Sequence, residues 1–130
     1  ISPCSVGFIT HEDLRRVCDR FPRIMAAFWR ETLIDAAIFR EWVTNVGRRE
    51  GMSRLAHVLC ELMVRLRAVG LVRGHECDLP ITQSEFADAL GFTPVHVNRV
   101  FQQMRIESLI ETRGTRLVVS DWERLKRVGE

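Results

Sequence analysis

The tightest constraint on this chain lies in residues 83–100, Gln-Ser-Glu-Phe-Ala-Asp-Ala-Leu-Gly-Phe-Thr-Pro-Val-His-Val-Asn-Arg-Val. Ala87 is small where two helices would have to cross closely. Gly91 follows four residues later, where the chain must turn, and Val97 six after that, where a second helix packs back. Phe86, Leu90 and Val100 complete the apolar side. Thr93 is suited to cap the second helix, and Pro94 to its first position, where a missing N–H costs nothing. Upstream, Thr82 and Glu85 stand at capping-box spacing and mark the start of the first helix. The spacing predicts helix, glycine turn, helix.

After the second helix comes Leu109-Ile110-Glu111-Thr112-Arg113-Gly114-Thr115-Arg116-Leu117-Val118-Val119. Two runs of β-formers around an Arg-Gly turn read as a hairpin, which beside a helix-turn-helix is a wing. The expected fold class is mainly α with a small β wing: a long helix followed by a winged helix-turn-helix domain. That architecture points to DNA binding and transcription regulation.

On these motifs, Ile81-Thr82-Gln83, Ala87-x-x-x-Gly91, Thr93-Pro94-x-x-Val97-x-Arg99 and Leu109-Ile110 leading into Gly114, the chain resembles the C-terminal half of a Crp/Fnr-type bacterial transcription regulator. The resemblance runs over nearly the whole chain. It implies a homodimer formed through a long helix, a two-fold-symmetric double-stranded DNA operator, RNA polymerase as a further partner, and control by an N-terminal cyclic-nucleotide-binding-like sensor. It implies no cofactor within these residues; the sensor's effector stays open, a cyclic nucleotide among the candidates. Residues 1–22 then read as a remnant of the effector domain plus a short helix, 23–50 as dimerisation helix and hinge, and 51–130 as the DNA-binding domain. Ile1 to Ile9 resembles the last strand of the family's sensing β-roll, and a start at Ile1 without an initiator Met reads as an arbitrary cut.

With 46% hydrophobic and 28% charged side chains, the 130 residues suffice for one compact domain plus an extra element. No apolar run approaches the roughly 20 residues a membrane helix needs, so a cytoplasmic protein is expected. Cys4, Cys18, Cys60 and Cys77 include no close pair of the kind that holds zinc or an iron-sulfur cluster, which leaves free thiols. His57 and Cys60 have no third group near them in sequence to orient a nucleophile, and no enzyme is expected.

Thr10-x-x-Asp13 opens a short helix that ends before Phe21-Pro22. From residue 23 onward Met25, Trp29, Thr32, Ala36, Phe39, Val43 and Val46 recur at alternating steps of four and three, a heptad seam and the expected dimer interface. A helix of about 27 residues is roughly 40 Å long, more than a small domain can cover, so a second copy is the simpler cover. Ile24, Phe28, Ile34, Ile38 and Trp42 add a second flank. Gly47, Arg48, Arg49, Glu50 and Gly51 interrupt the pattern as a candidate hinge, and Met52, Leu55, Ala56, Leu59, Leu62, Met63 and Leu66 resume a helical stripe. Gly70 and Gly74 open a connector in which Leu71-Val72 and Leu79 suggest a small hairpin. Ser120 to Glu123 suggests a capping-box start for a terminal helix lying on the wing side.

Residues 81–130 hold as many acidic as basic side chains, so any basic footprint is local. From Thr93 to Arg105 there is no acid, and the wing adds Arg113 and Arg116. A helix starting at Pro94 and entering the major groove would point Val95, His96, Asn98 and Arg99 outward as base readers. By the resemblance Arg99 matches a base-contacting arginine. Pro94 and Val95 stand where receptor-type members carry polar or charged residues, and Val95 would suit a thymine methyl. Thr82, Gln83, Ser84, Thr93, Arg113, Thr115 and Arg116 read as phosphate-positioning groups. Two other classes stay open: a protein-binding winged helix using Trp29, Phe39 and Trp42, and a thiol redox sensor using a low-pKa Cys18 or Cys77.

Overall fold

The computed structural model describes residues 4–130, which divide into two compact units, 4–43 and 44–130. In the first unit, residues 4–10 form no strand. A strand needs a neighbour to take its N–H and C=O groups, and no paired strand lies near these residues in the chain. The resemblance of Ile1 to Ile9 to a β-roll strand is therefore not realised over its described part, and Ile1, Ser2 and Pro3 lie outside the described residues. Helix α1 (His11–Arg20) starts where the sequence places it: the Thr10 hydroxyl accepts from the Asp13 N–H at 3.1 Å. Phe21 ends it, and Pro22 opens α2 (Pro22–Arg48), a helix of 27 residues that runs from the first unit into the second.

The second unit is built on α3 (Gly51–Ala68), whose Leu55, Ala56, Val58, Leu59 and Met63 are buried. A short hairpin follows, β1 (Val72–Arg73) and β2 (Glu76–Asp78), with Gly74 left-handed at φ 61° in its turn. Then come α4 (Gln83–Leu90), α5 (Pro94–Ile106), the wing strands β3 (Ile110–Arg113) and β4 (Arg116–Val119), and α6 (Trp122–Gly129). The two hairpins form one antiparallel sheet in the order β1-β2-β4-β3. Cys77 faces Leu117 across the β2–β4 seam, and Thr112 faces Leu117 within the wing. Sequence spacing suggested both hairpins but not their union, which joins residues some forty positions apart. Leu71 and Leu79 fall just outside the strands.

Helix α6 corrects two expectations. Its cap is Asp121, whose carboxylate accepts from the Arg124 N–H at 3.0 Å, rather than Ser120 with Glu123. It also packs chiefly on α3 and not on the wing. Leu125 is fully buried, and a side chain at Gly129 would come within 2.9 Å of the His57 backbone nitrogen, so glycine there permits the close crossing. Arg124 secures the helix start with hydrogen bonds to the Glu107 carbonyl oxygen at 2.8 Å and to its carboxylate at 3.1 Å.

The α5 helix and its wing as a candidate nucleic-acid interface

The start of α4 is fixed by a reciprocal cap. The Thr82 hydroxyl accepts from the Glu85 N–H at 3.2 Å, while the Glu85 carboxylate accepts from the Thr82 N–H at 2.7 Å and from its hydroxyl at 2.8 Å. These bonds hold the Glu85 carboxyl below the ordinary glutamate range, the backbone N–H first and the hydroxyl second. They also engage the exposed Thr82 hydroxyl as donor and acceptor within the cap.

Gly91 takes the left-handed conformation, φ 67°, that ends α4 and lets the chain double back. Thr93 then caps α5 by accepting from the His96 N–H at 3.2 Å, with Pro94 at the first helical position. Val97, Val100, Phe101 and Met104 turn inward, and Phe101 meets Phe86 of α4 edge-on at 5.5 Å. Ala87 and Leu90 complete the buried face of α4.

Of the four expected base readers, Val95 is 80% exposed, and Arg99 is also exposed. Asn98 is half-buried and donates to the Gln83 side-chain oxygen at 2.8 Å. That bond joins an expected base reader to an expected phosphate ligand and turns the Gln83 amide N–H groups away from Asn98. His96 is half-buried; its Nε2 is shielded from solvent at Gly51, the first residue of α3, and its Nδ1 lies 3.2 Å from the Arg99 guanidinium. Helical geometry puts His96 on the outer side of α5, but the first turn of α3 stands there.

Among the expected phosphate ligands, Ser84, Thr93, Arg113, Thr115 and Arg116 are exposed. Arg113 pairs with Glu111 at 3.3 Å and Arg116 with Glu76 at 2.9 Å, both on the surface. Such pairs are weak in water, so a phosphate can compete for either arginine. Arg105 donates to the Thr112 hydroxyl at 3.2 Å and so ties α5 to the wing.

Sequence reading missed Arg54. Its guanidinium donates to the Arg49 carbonyl at 3.2 and 2.8 Å and to the Leu90 carbonyl at 2.9 Å, and it lies 4.4 Å over the Phe92 ring. One side chain thus links the end of α2, the start of α3 and the turn between α4 and α5. No local pattern announces a contact with a carbonyl 36 positions away. The hinge is also narrower than expected, since Gly47 and Arg48 belong to α2 and Gly51 to α3, leaving Arg49 and Glu50 between them.

Cys77 does not meet the requirement for a reactive thiol. It is buried, its sulfur lies 3.3 Å from that of Met63, and burial pushes its pKa up, with Asp78 and Glu76 adding to the shift. Burial likewise pushes Cys60 up to about 11. No described helix is long and apolar enough to cross a membrane.

A Crp-like helix-turn-helix domain model matches residues 53–128. This chain belongs to the Crp/Fnr family of transcription regulators. It is 33% identical over 96 residues to the transcriptional activator protein FnrL of Cereibacter sphaeroides, a match covering 71% of this chain and 38% of FnrL. Among solved structures, FixK2 from Bradyrhizobium japonicum superposes with a TM-score of 0.80 at 21% identity, over 94% of this chain and 60% of that one. A CooA variant from Carboxydothermus hydrogenoformans gives 0.74 at 16% identity, over 92% of this chain and 55% of that one. At these identities the two structures show the shared fold. The Crp/Fnr chain described here spans less than two fifths of the length of FnrL.

Proposed function

We propose that this Crp/Fnr chain binds a two-fold-symmetric operator as a dimer, with α2 joining two copies and α5 of each copy reading one half-site in the major groove. Control comes from a sensing domain of the kind the family carries. Because FnrL is a transcriptional activator, contact with RNA polymerase belongs to the same proposal. The observation that carries the reading is the division of α5: Val97, Val100, Phe101 and Met104 are engaged in the core, while Val95 and Arg99 stand clear of it.

Arg99 supplies base recognition, since a planar guanidinium can donate to guanine O6 and N7 together. Val95 offers a methyl-sized contact to thymine. Gln83, Ser84, Thr93 and the wing residues Arg113, Thr115 and Arg116 set the register on the phosphates. Arg99→Ala is expected to cost about 1 to 3 kcal/mol at the preferred site and to relax preference at one base pair per half-site. Arg113→Ala or Arg116→Ala instead weakens all duplexes alike and lowers the salt slope by about one. Titrations of a selected palindrome and a scrambled duplex at several salt concentrations compare them. Equal weakening of both duplexes by Arg99→Ala would make that arginine a phosphate contact, and no salt-dependent binding to either would leave a protein-binding module.

A further inference from the structure

We propose that His96 is a positioning residue for Arg99, and that Gly51 lacks a side chain so that the His96 ring can be seated. This rests on the assignment of Arg99 as the base-reading group. An arginine guanidinium has only donors, so the 3.2 Å approach of Arg99 Nη2 to His96 Nδ1 requires Nδ1 to accept. With Nδ1 accepting, a neutral ring carries its proton on Nε2. That atom is shielded at Gly51 and has no hydrogen-bond partner among the described residues, a cost the Arg99 bond has to offset.

The ring is held on two sides. Phe92 lies 4.6 Å away, centroid to centroid, and is itself covered by the Arg54 guanidinium, which is anchored on the Arg49 and Leu90 carbonyls. On the other side, a β-carbon at Gly51 would overlap Nε2 and press on the Val100 side chain at 3.3 Å. Gly51 has no left-handed φ to explain the glycine; the space taken by His96 does. A flexible arginine on an exposed helix face would otherwise sample many rotamers before meeting a base. One hydrogen bond to a wedged ring restricts that search and leaves further guanidinium N–H donors on an exposed side chain.

The test is a cycle of variants, each measured as the affinity ratio between the selected palindrome and the same duplex changed at the base pair Arg99 reads. His96→Phe keeps a ring but removes the acceptor, and is expected to lower the ratio by about three- to tenfold while leaving scrambled duplex unaffected. His96→Asn places an acceptor near the position of Nδ1 and is expected to retain most of the ratio. Gly51→Ala should lower it through the displaced ring, although Ala favours helix over Gly. In the Arg99→Ala background all three should leave the ratio unchanged. Independently of folding of the variants, the ring nitrogen resonances of the wild type should report a bare Nδ1 and a protonated Nε2. A ratio lowered by Arg99→Ala but not by His96→Phe overturns this inference alone, as does a His96 effect that persists without Arg99. A ratio unchanged by Arg99→Ala overturns the base-reading assignment and this inference with it.

Discussion

In α5, Val97, Val100, Phe101 and Met104 all reach the core of their own domain, whereas α2, about twice as long, buries only Asn45. Along α2 the seam residues lie open: Met25 is 57% exposed, Trp29 67%, Phe39 72% and Val43 75%. The same kind of side chain is used for opposite ends. Where a helix places its apolar residues inside, its polar face is available to a ligand. Where it leaves an apolar row of this length exposed, at heptad spacing, the row suits another helix of the same kind.

The largest expected effect breaks that contrast on the α2 side. Trp29→Glu should abolish self-association at micromolar concentration by sedimentation, because an aromatic anchor in a two-fold interface counts once in each copy. With about 2 kcal/mol per copy, the loss is about 4 kcal/mol, or on the order of a thousandfold in the dimer constant. The helical content of residues 44–130 should persist. An unchanged dimer would show that the seam is not the interface.

Next in size is the converse substitution in α5. Met104 is fully buried, and Met104→Ala should cost about 2 to 5 kcal/mol in denaturant unfolding of the DNA-binding unit. Its self-association through α2 should stay as in the wild type. A variant that lost both together would mean that the two regions are not energetically separable.

Acidification gives the smallest effect and sharpens the comparison at the start of α4. A carboxyl held below its ordinary range contributes stability above that range and loses it as pH falls through the folded value. The Thr82 and Glu85 cap should therefore loosen as pH drops below the ordinary glutamate range, visible as falling protection of the Thr82 and Glu85 amides relative to the intrinsic exchange rate at each pH. In Glu85→Gln this pH dependence should vanish.

How much of this was legible in the sequence follows the range of each interaction. Thr10, Thr82 and Thr93 act within three residues of themselves, and the α4 turn at Gly91 and the wing turn at Gly114 are local backbone events. All were readable from spacing. The row of heptad-spaced apolar residues along α2 is a local pattern too, and those residues lie exposed, while their pairing with a second copy stays a proposal. What was not readable depends on residues far apart: Cys77 opposite Leu117, α6 lying on α3, and Arg54 reaching Leu90. His96 shows the same limit within the site, because its position on the helix is local and its neighbour, Gly51, is 45 residues away. Asn98 and Gln83, expected to act separately, form a pair for the same reason.

The central claim is that α2 joins two copies so that two α5 helices meet two half-sites on one duplex. Sedimentation of the chain with a palindrome selected from random duplexes, together with a footprint of the complex, measures this directly. Two protomers per duplex and two protected half-sites about 34 Å apart, one turn of DNA, are expected, with Trp29→Glu binding far more weakly. A single protomer per duplex at saturation, or a selection that returns no symmetric site, would contradict it.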